Sequence, residues 1–438
     1  MGGIKTAFTE AMLGDGMTRA ARSLRKFGRA LRRAPRTIRY YHRVDDPRSW
    51  LLASVLGPFV DTYGLAIEVE VVPDPAAEVD PEPELRAKFD VEDTRRLAKA
   101  FGLVFPEPGS EPVAARVRMA NALALAPRPH RERLERLTRI SELLLSRKGD
   151  ALAKMADETG TTRGQDLRPA LESAYARLRK HGHYTSAVVE FEGELYAGVE
   201  RLAHLERRLV GEGLDDHALA PSLAMPAPVA GAAPIEVELF FSYRSPYSYV
   251  GLERAVAISE SYGLVLKLQP VLPMVMRGLS VPTDKRVYIV RDAKREADAH
   301  GIPFGKIADP VGVGIERVLA VHVHAERAES ADRAGRAGRA GLTLRFARAA
   351  MAAIWARGVD VATDEGLALV AADAGLDADF VRDALADDSW RDVVERHRDA
   401  MYEAGLWGVP TFRVGNFATW GQDRLPLVVA EANRLRGR

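Results

Sequence analysis

Residues 235–253 read IEVELFFSYRSPYSYVGLE, an apolar run that ends in a Ser-Pro pair and is followed by further apolar residues. The first seven positions are rich in β-branched and aromatic residues, which predicts a largely buried strand. Ser245 and Pro246 are residue types favoured at a helix N-cap and at the first helical position. The stretch therefore predicts a strand that leads directly into a helix.

The same pattern occurs earlier in the chain. Residue 47 set against residue 246 gives an offset of 199 that holds without gaps to residue 105. Identical pairs along this register include Pro47/Pro246, Ser49/Ser248, Tyr63/Tyr262, Gly64/Gly263, Asp93/Asp292 and Arg96/Arg295. Segments 63–72 and 262–271 then read as matching second strands. A repeat of this kind indicates two copies of one structural unit.

The ends of the two copies also match. HYTSAVVEFEGELYAGVERL (183–202) and VPTFRVGNFATWGQDRL (409–425) each predict a β-hairpin followed by a helix. Helical periodicity fills the long stretch between the second strand and the hairpin. Each half is thus predicted as β-α-β, a helical insertion, then β-β-α. We expect an α/β fold with one domain at 37–210, a Pro/Ala-rich linker at 211–234 and a second domain at 235–438.

Composition excludes several function classes. The chain has 438 residues with a formal net charge of +1, so no global field favours nucleic acid. It contains no cysteine, which excludes structural disulfides, thiolate metal sites and a dithiol redox cycle carried by the chain. His322 and His324 are two apart on a predicted helix and point in different directions, so we expect no metal site there.

Residues 1–36 form a basic segment with Ala21, Leu24, Phe27 and Leu31 at helical intervals. The segment has no apolar run typical of a signal peptide or a membrane span, so we expect a cytoplasmic protein. A basic amphipathic helix could touch a membrane surface or a partner. A lead-in helix packed on its own protein is the commoner use of such spacing, and it is the interpretation we favour here.

Four segments occur together in one order: FFSYRSPYSYVGLE (240–253), PTDKRVYIVRDAKREADAHGIPF (282–304), GVPTF (408–412) and WGQDRL (420–425). Jointly they resemble the kappa-class glutathione transferases and 2-hydroxychromene-2-carboxylate isomerases, a branch of the DsbA-like thioredoxin folds with a helical insertion. The resemblance covers roughly residues 235–436. It implies two tandem thioredoxin-like domains, the first of them a diverged copy.

The resemblance implies a site for glutathione around Ser245. The family's active serine corresponds to Ser245, which would donate a hydrogen bond to the glutathione thiolate at a helix N-terminus. Val409 and Pro410 correspond to the cis-proline edge that holds the cysteinyl part, and Gln422 and Asp423 to the γ-glutamyl site. Lys285 would pair with a glutathione carboxylate.

Each of these residues also has an ordinary structural explanation. Ser245 suits a plain N-cap, and Pro410 suits a turn before a strand. Asp423 suits the first turn of a helix, where an acidic residue is favourable. Lys285 suits a solvated surface. Trp355 and Met351 in the helical insertion are expected near a second-substrate pocket.

The first half carries different residues at the matching positions. Asp46 faces Ser245 under the offset of 199, and Tyr184 faces Pro410 when Thr185 is set on Thr411. Arg86 corresponds to Lys285, and Glu200 corresponds to Asp423. A carboxylate beside a thiolate would raise the pKa of the thiol, so we interpret this half as structural and expect the two domains to form an intrachain pseudo-dimer.

The leading hypothesis is a glutathione-dependent isomerase or transferase acting on a small hydrophobic or aromatic-derived substrate. The isomerase would add and then release the thiolate, whereas the transferase would leave it on the product. The alternative is a non-catalytic tandem thioredoxin-like protein that binds a small acid or a peptide, because such folds host both uses.

Overall fold

The computed structural model describes residues 14–107, 114–229, 231, 233–332 and 341–437. The first half contains α1 (Asp15–Leu31), β1 (Thr37–His42), α2 (Pro47–Thr62), β2 (Ala66–Val71), α3 (Pro83–Ala100), α4 (Ala114–Ala124), α5 (His130–Leu145), α6 (Gly149–Thr159), α7 (Gly164–His181), β3 (Val188–Phe191), β4 (Glu194–Ala197) and α8 (Leu202–Gly211). The second contains β5 (Ile235–Phe241), α9 (Pro246–Ser259), β6 (Leu264–Pro270), α10 (Thr283–Ala299), α11 (Val313–Asp332), α12 (Leu342–Ala352), α13 (Asp364–Ala374), α14 (Ala378–Leu385), α15 (Trp390–Glu403), β7 (Thr411–Val414), β8 (Phe417–Trp420) and α16 (Leu425–Arg436).

The two sheets have the same strand order. The first is β2-β1-β3-β4 and the second is β6-β5-β7-β8. In each, the first two strands are parallel and the hairpin strands run antiparallel. The predicted β-α-β, helical insertion and β-β-α order is confirmed in both halves, as is the α/β class with two tandem thioredoxin-like domains.

The strand register preserves the repeat residue by residue. Thr37 pairs with Ala66 in the first sheet, and Glu236 pairs with Val265 in the second, each displaced by the same 199 positions. A shift of one residue would turn every side chain to the opposite face of the sheet. The conserved register therefore means that equivalent positions face equivalent surroundings.

The hairpin register corrects one pairing made from sequence. Tyr41 pairs with Val188 and the equivalent Phe240 pairs with Thr411, so Val188 is the structural counterpart of Thr411. Matching Thr185 to Thr411 was wrong by three residues, because Thr185 lies in the loop before the strand.

Ala187 is therefore the counterpart of Pro410, and Tyr184 is not. The carbonyl oxygens of both residues accept an equivalent hydrogen bond: Gly198 N–H donates to Ala187 O at 2.8 Å, and Gly421 N–H donates to Pro410 O at 2.9 Å. The first half thus carries an alanine with φ +58° where the second carries proline.

Each half has its own hydrophobic core. In the first half, Leu52 and Phe191 belong to one hydrophobic cluster, and neither side chain is exposed. In the second, Phe241 and Phe412 join the helical insertion in one cluster. Burying a side chain of this size contributes about 1.5–3 kcal/mol, so each sheet has the means to hold its own helices.

The chain divides into two compact units. One contains Ala20–Leu223 together with Pro282–Tyr288, and the other contains Ala224–Val281, Ile289–Arg438 and the described residues before Ala20. The start of α10 thus belongs to the amino-terminal unit. The change of unit at Leu223 lies within residues 211–234.

Helix α1 occupies only part of the predicted 1–36 segment. It begins at Asp15 and ends at Leu31, and residues 1–13 lie outside the described residues. Within the described ranges, each helix is too short or too polar to cross a bilayer.

Candidate functional site

Ser245 caps the amino terminus of α9. Its backbone is extended (φ −99°, ψ 116°), and its Oγ accepts a hydrogen bond from the Ser248 N–H at 3.1 Å. The Ser248 hydroxyl in turn accepts from the Ser242 N–H at 3.2 Å, which fixes the turn between β5 and α9. Ser245 is half-buried. Because the bond uses Oγ as the acceptor, the hydroxyl keeps a proton to donate.

Helix α9 packs directly on the two other predicted parts of the site. A Cβ added to Gly251 would lie 3.1 Å from Pro410 Cγ and 3.3 Å from Gln422 Cβ. The Val409-Pro410 peptide bond is cis, as expected from the resemblance. Pro410 is buried and Val409 half-buried. The absence of a side chain at Gly251 thus brings Ser245's helix against Pro410 and the start of the last helical segment.

Gln422 is held from two sides. Its Nε2 donates to Glu296 Oε2 at 2.7 Å, and its Oε1 accepts from the Arg254 guanidinium. Gln422 is 1% exposed, so its side chain is committed to this network. The backbone N–H of Gln422 lies in the first turn of a short 3₁₀ helix, Gln422–Arg424, where N–H groups have no partner within the helix.

Asp423 follows in the same turn and is more exposed. Its carboxyl group folds back over Gly421, where an added Cβ would lie 3.1 Å from Oδ1. Gly421 has φ +106°, a backbone conformation that favours glycine. Arg424 Nη1 lies 3.9 Å from Asp423 Oδ2. The arrangement sets one carboxylate beside first-turn N–H groups.

Lys285 lies in the other compact unit from Ser245. Its Nζ donates to Val79 O at 2.9 Å and lies 5.4 Å from the centre of the Tyr184 ring. The neighbouring Asp284 accepts from Arg179 Nε at 2.6 Å. Burial lowers the pKa of the Lys285 ammonium. Its visible contacts are therefore structural ones within the amino-terminal unit.

A hydrogen-bonded chain beside Ser245 was missed from the sequence. Tyr247 donates its hydroxyl proton to Asp292 Oδ2 at 2.7 Å, and Arg295 Nη1 lies 3.2 Å from Asp292 Oδ1. Asp292 is 1% exposed. A signal was present, because Asp292 and Arg295 are both identical to their counterparts in the first half. Identity at buried polar positions in two copies points to a fixed network more strongly than apolar matches do.

The helical insertion contributes core side chains close to the same turn. Met351 is fully buried, and Trp355 is 5% exposed. Ala353–Arg357 form a π-helical turn from which Trp355 Nε1 donates to Tyr243 O at 3.0 Å. This bond holds the backbone two residues before Ser245. Both side chains belong to the hydrophobic core, and their expected place near a second-substrate pocket stays a prediction.

The two histidines of α11 face different neighbours. His322 Nδ1 lies 2.7 Å from the Tyr243 hydroxyl oxygen, whereas the His324 ring packs edge-on against Phe380. Burial lowers the pKa of His322 to about 3.

Asp46 occupies the equivalent of Ser245 in the first half. It caps α2 with nearly the same backbone angles (φ −92°, ψ 115°). Its carboxylate accepts from Arg48 N–H at 3.0 Å and from the hydroxyls of Ser49 and Ser186 at 2.7 Å each. Burial would raise the pKa of Asp46, but the Arg43 charge and these hydrogen bonds lower it to about 2. This position therefore carries a fixed negative charge.

Comparison with protein-family models matches the second half of the chain. Residues 236–432 match the model of the DSBA-like thioredoxin domain. The 2-hydroxychromene-2-carboxylate isomerase of Pseudomonas putida is 24% identical over 211 residues, which cover 45% of this chain and 95% of that protein. The protein of the same name from Sphingobium xenophagum is 23% identical over 197 residues, 43% of this chain and 93% of the other.

Among solved structures, a 2-hydroxychromene-2-carboxylate isomerase is 22% identical with a TM-score of 0.38, covering 46% of this chain and 96% of its own. Residues 236–432 therefore form a DSBA-like thioredoxin domain, and the curated proteins similar to this half include 2-hydroxychromene-2-carboxylate isomerases.

Proposed function

We propose that this protein is a cytoplasmic glutathione-dependent isomerase that acts on a small aromatic-derived, conjugated carboxylate at the Ser245 site. The relatives named 2-hydroxychromene-2-carboxylate isomerase support the reaction class, because the match spans nearly their whole length. A transferase reaction at the same site would use the same residues and differ in releasing a glutathione conjugate.

The observation that carries the proposal is the position of Ser245. A half-buried hydroxyl stands at the start of a 14-residue helix, and its oxygen is oriented by the Ser248 N–H. A helix N-terminus has roughly half a positive charge, which favours an anion placed there. The hydroxyl proton adds a donor. The two together suit a thiolate.

The donors around Ser245 fit glutathione as a bound cofactor. Glutathione supplies the thiol sulfur that a chain without cysteine lacks. Val409 would hold the cysteinyl backbone, since it precedes the proline against which α9 packs. First-turn N–H groups at Gln422 would hold a carboxylate, and the Asp423 carboxylate would hold an ammonium. Ser245 orients and stabilises the anion and does not attack the substrate.

The experiment replaces Ser245 by alanine in the full chain. Calorimetric titration should show glutathione binding by the wild type. The Ser245→Ala variant should isomerise substrate more slowly, and its pH-rate profile should move to higher pH. Each pH unit of that shift should lower the neutral-pH rate up to about tenfold, because a hydrogen bond to the thiolate has been lost.

Asp46→Ala is the matched control, since it removes the N-cap of the equivalent helix. Loss of the cap bond alone should lower the free energy of unfolding by about 1 kcal/mol in each variant. Asp46→Ala should be destabilised further, because the Ser49 and Ser186 hydroxyls lose a buried acceptor. An unshifted pH profile with full activity in Ser245→Ala would reduce this serine to a helix cap. No binding of glutathione at millimolar concentration would remove the proposal. Product analysis separates isomerisation from conjugation.

A further inference from the structure

Helix α1 is attached to the protein through its basic face. Arg22 donates to both carboxylate oxygens of Glu194 at 2.6 and 2.8 Å, and Arg29 Nη2 donates to Glu212 at 3.0 Å. Lys26 Nζ donates to the Glu212 carbonyl at 3.3 Å. Residues 22, 26 and 29 are spaced at helical intervals and share one side of the helix. That side faces the first unit's acidic surface.

The opposite side of α1 is apolar and exposed. Its large side chains are Met17 (59% exposed), Leu24 (72%), Phe27 (66%) and Leu31 (75%). Met17, Leu24 and Leu31 repeat at about two helical turns, and Phe27 lies beside them, so the four form an apolar stripe. A cleft of about 600 Å³, bordered by Leu24 and Phe27, opens beside the stripe. Amphipathic helices usually bury this face on their own protein, and here it points outward.

The charges beside the apolar stripe decide what can cover it. Exposed arginines lie beside the stripe: Arg25 within the helix, and Arg32 and Arg33 directly after it. Asp15 is the one acidic residue between positions 15 and 33. The cleft is also bordered by Glu68, Glu190 and Glu192, which lie within ion-pair distance of Arg39 or Arg29. Two copies of α1 packed stripe to stripe would bring these cations together, which is unfavourable. An anionic surface that also accepts apolar side chains satisfies both features.

We infer that α1 docks this protein on the surface of an anionic lipid bilayer, lying in the plane of the membrane. The apolar stripe enters the boundary between headgroups and acyl chains, and the exposed arginines meet lipid phosphates. Because Arg22, Lys26 and Arg29 are bound to the first unit, the helix would hold that unit at the membrane surface. This activity is separate from the Ser245 chemistry.

The test is sedimentation of the full-length protein with vesicles. Vesicles of phosphatidylglycerol mixed with phosphatidylcholine should bind the wild type. Leu24→Asp/Phe27→Asp should lower the partition coefficient about tenfold or more, because two anchoring side chains are replaced by charges. Binding should weaken with phosphatidylcholine alone and in salt on the order of 0.5 M.

Val104→Asp is the matched control. Val104 is 89% exposed in the same compact unit and lies outside α1, so its variant should bind vesicles like the wild type. Equal binding by Leu24→Asp/Phe27→Asp and wild type would overturn the inference. A wild-type dimer in light scattering that the double variant breaks, without vesicle binding, would assign the stripe to a second copy. Arg32→Glu/Arg33→Glu gives a second, charge-only test and should also weaken binding.

Discussion

At the scale of single residues, one substitution separates two nearly identical turns. Ser49 Oγ accepts from the Arg43 N–H at 3.2 Å, as Ser248 Oγ accepts from the Ser242 N–H at the same distance. The turn therefore survives in both halves. Its cap is a neutral hydroxyl at Ser245 and a charged carboxylate at Asp46. A carboxylate repels a thiolate, so Asp46 would disfavour a bound thiolate even though the backbone of the two turns is the same.

The replacement of Ser245 by Asp46 in the first half could be read from the sequence, whereas the partners of Asp46 could not. Asp46 was visible in the aligned sequence. Ser186, which donates to it, is 140 positions away and lies in a loop whose register the sequence misplaced. Side-chain pairs of this kind depend on how the chain returns to the sheet.

A buried histidine gives a prediction on pH. Burial holds the pKa of His322 at about 3 in the folded state, below its ordinary value of 6.5. Between these values the unfolded chain binds a proton that the folded chain does not. Stability from neutral His322 is therefore fully present above pH 6.5 and is lost as the pH falls towards 3, by about 1.4 kcal/mol per pH unit.

We expect His322→Gln to reduce this acid sensitivity, since glutamine still reaches hydrogen-bond partners such as Tyr243 and does not titrate. Hydrogen exchange of peptides from strands β5 and β7, followed from pH 7 to pH 4, measures the effect in the right unit. His397 in the same unit also has a lowered pKa, so some sensitivity should remain. His42→Gln should leave these peptides unchanged. An identical pH slope in His322→Gln and wild type would contradict the prediction.

At the scale of elements, the strands and their order were the parts best predicted from sequence. Alternating and continuous apolar runs predict where the strands lie. Because the offset of 199 has no gaps, it also predicts the same strand register in both sheets. The hairpin was placed correctly at Gly198 and Gly421, where a shared Gly motif anchors the alignment. The alignment was wrong a few residues earlier, because a single matched threonine does not define the register of a strand.

The packing of α9 on Pro410 gives a prediction for Gly251. A valine there would place atoms closer than 3.4 Å to Pro410 Cγ and Gln422 Cβ, both held by their own buried surroundings. Gly251→Val should lower the free energy of unfolding of the second unit by about 1–3 kcal/mol and weaken glutathione binding. Denaturant unfolding and calorimetry measure the two effects.

Gly57→Val is the control for Gly251→Val. Gly57 is also a buried glycine in the helix equivalent to α9, but the nearest atom to its added Cβ is the end of the Arg131 side chain at 3.3 Å. A flexible guanidinium can move aside, so the cost should be smaller. If both variants were as stable as the wild type, the close approach of α9 to Pro410 would not constrain the site.

At the scale of the whole molecule, the two sheets are alike and the two candidate sites are not. Each half repeats the strand order and the helix cap. Only the second has Ser245, Pro410 and Asp423 at the three matched positions, where the first has Asp46, Ala187 and Glu200. Repetition of a fold without repetition of the site assigns glutathione chemistry to one half under the proposed function.

The stoichiometry of binding follows from this asymmetry. Calorimetry should give one glutathione per chain, and Ser245→Ala should weaken that one event. Asp46→Ser restores a hydroxyl cap in the first half, but Ala187 still replaces Pro410 and Ser186 still fills the turn. We therefore expect Asp46→Ser to leave the stoichiometry at one. Two binding events in the wild type would refute the assignment to one half. A second event that appeared only in Asp46→Ser would show that the carboxylate alone had closed an otherwise complete site.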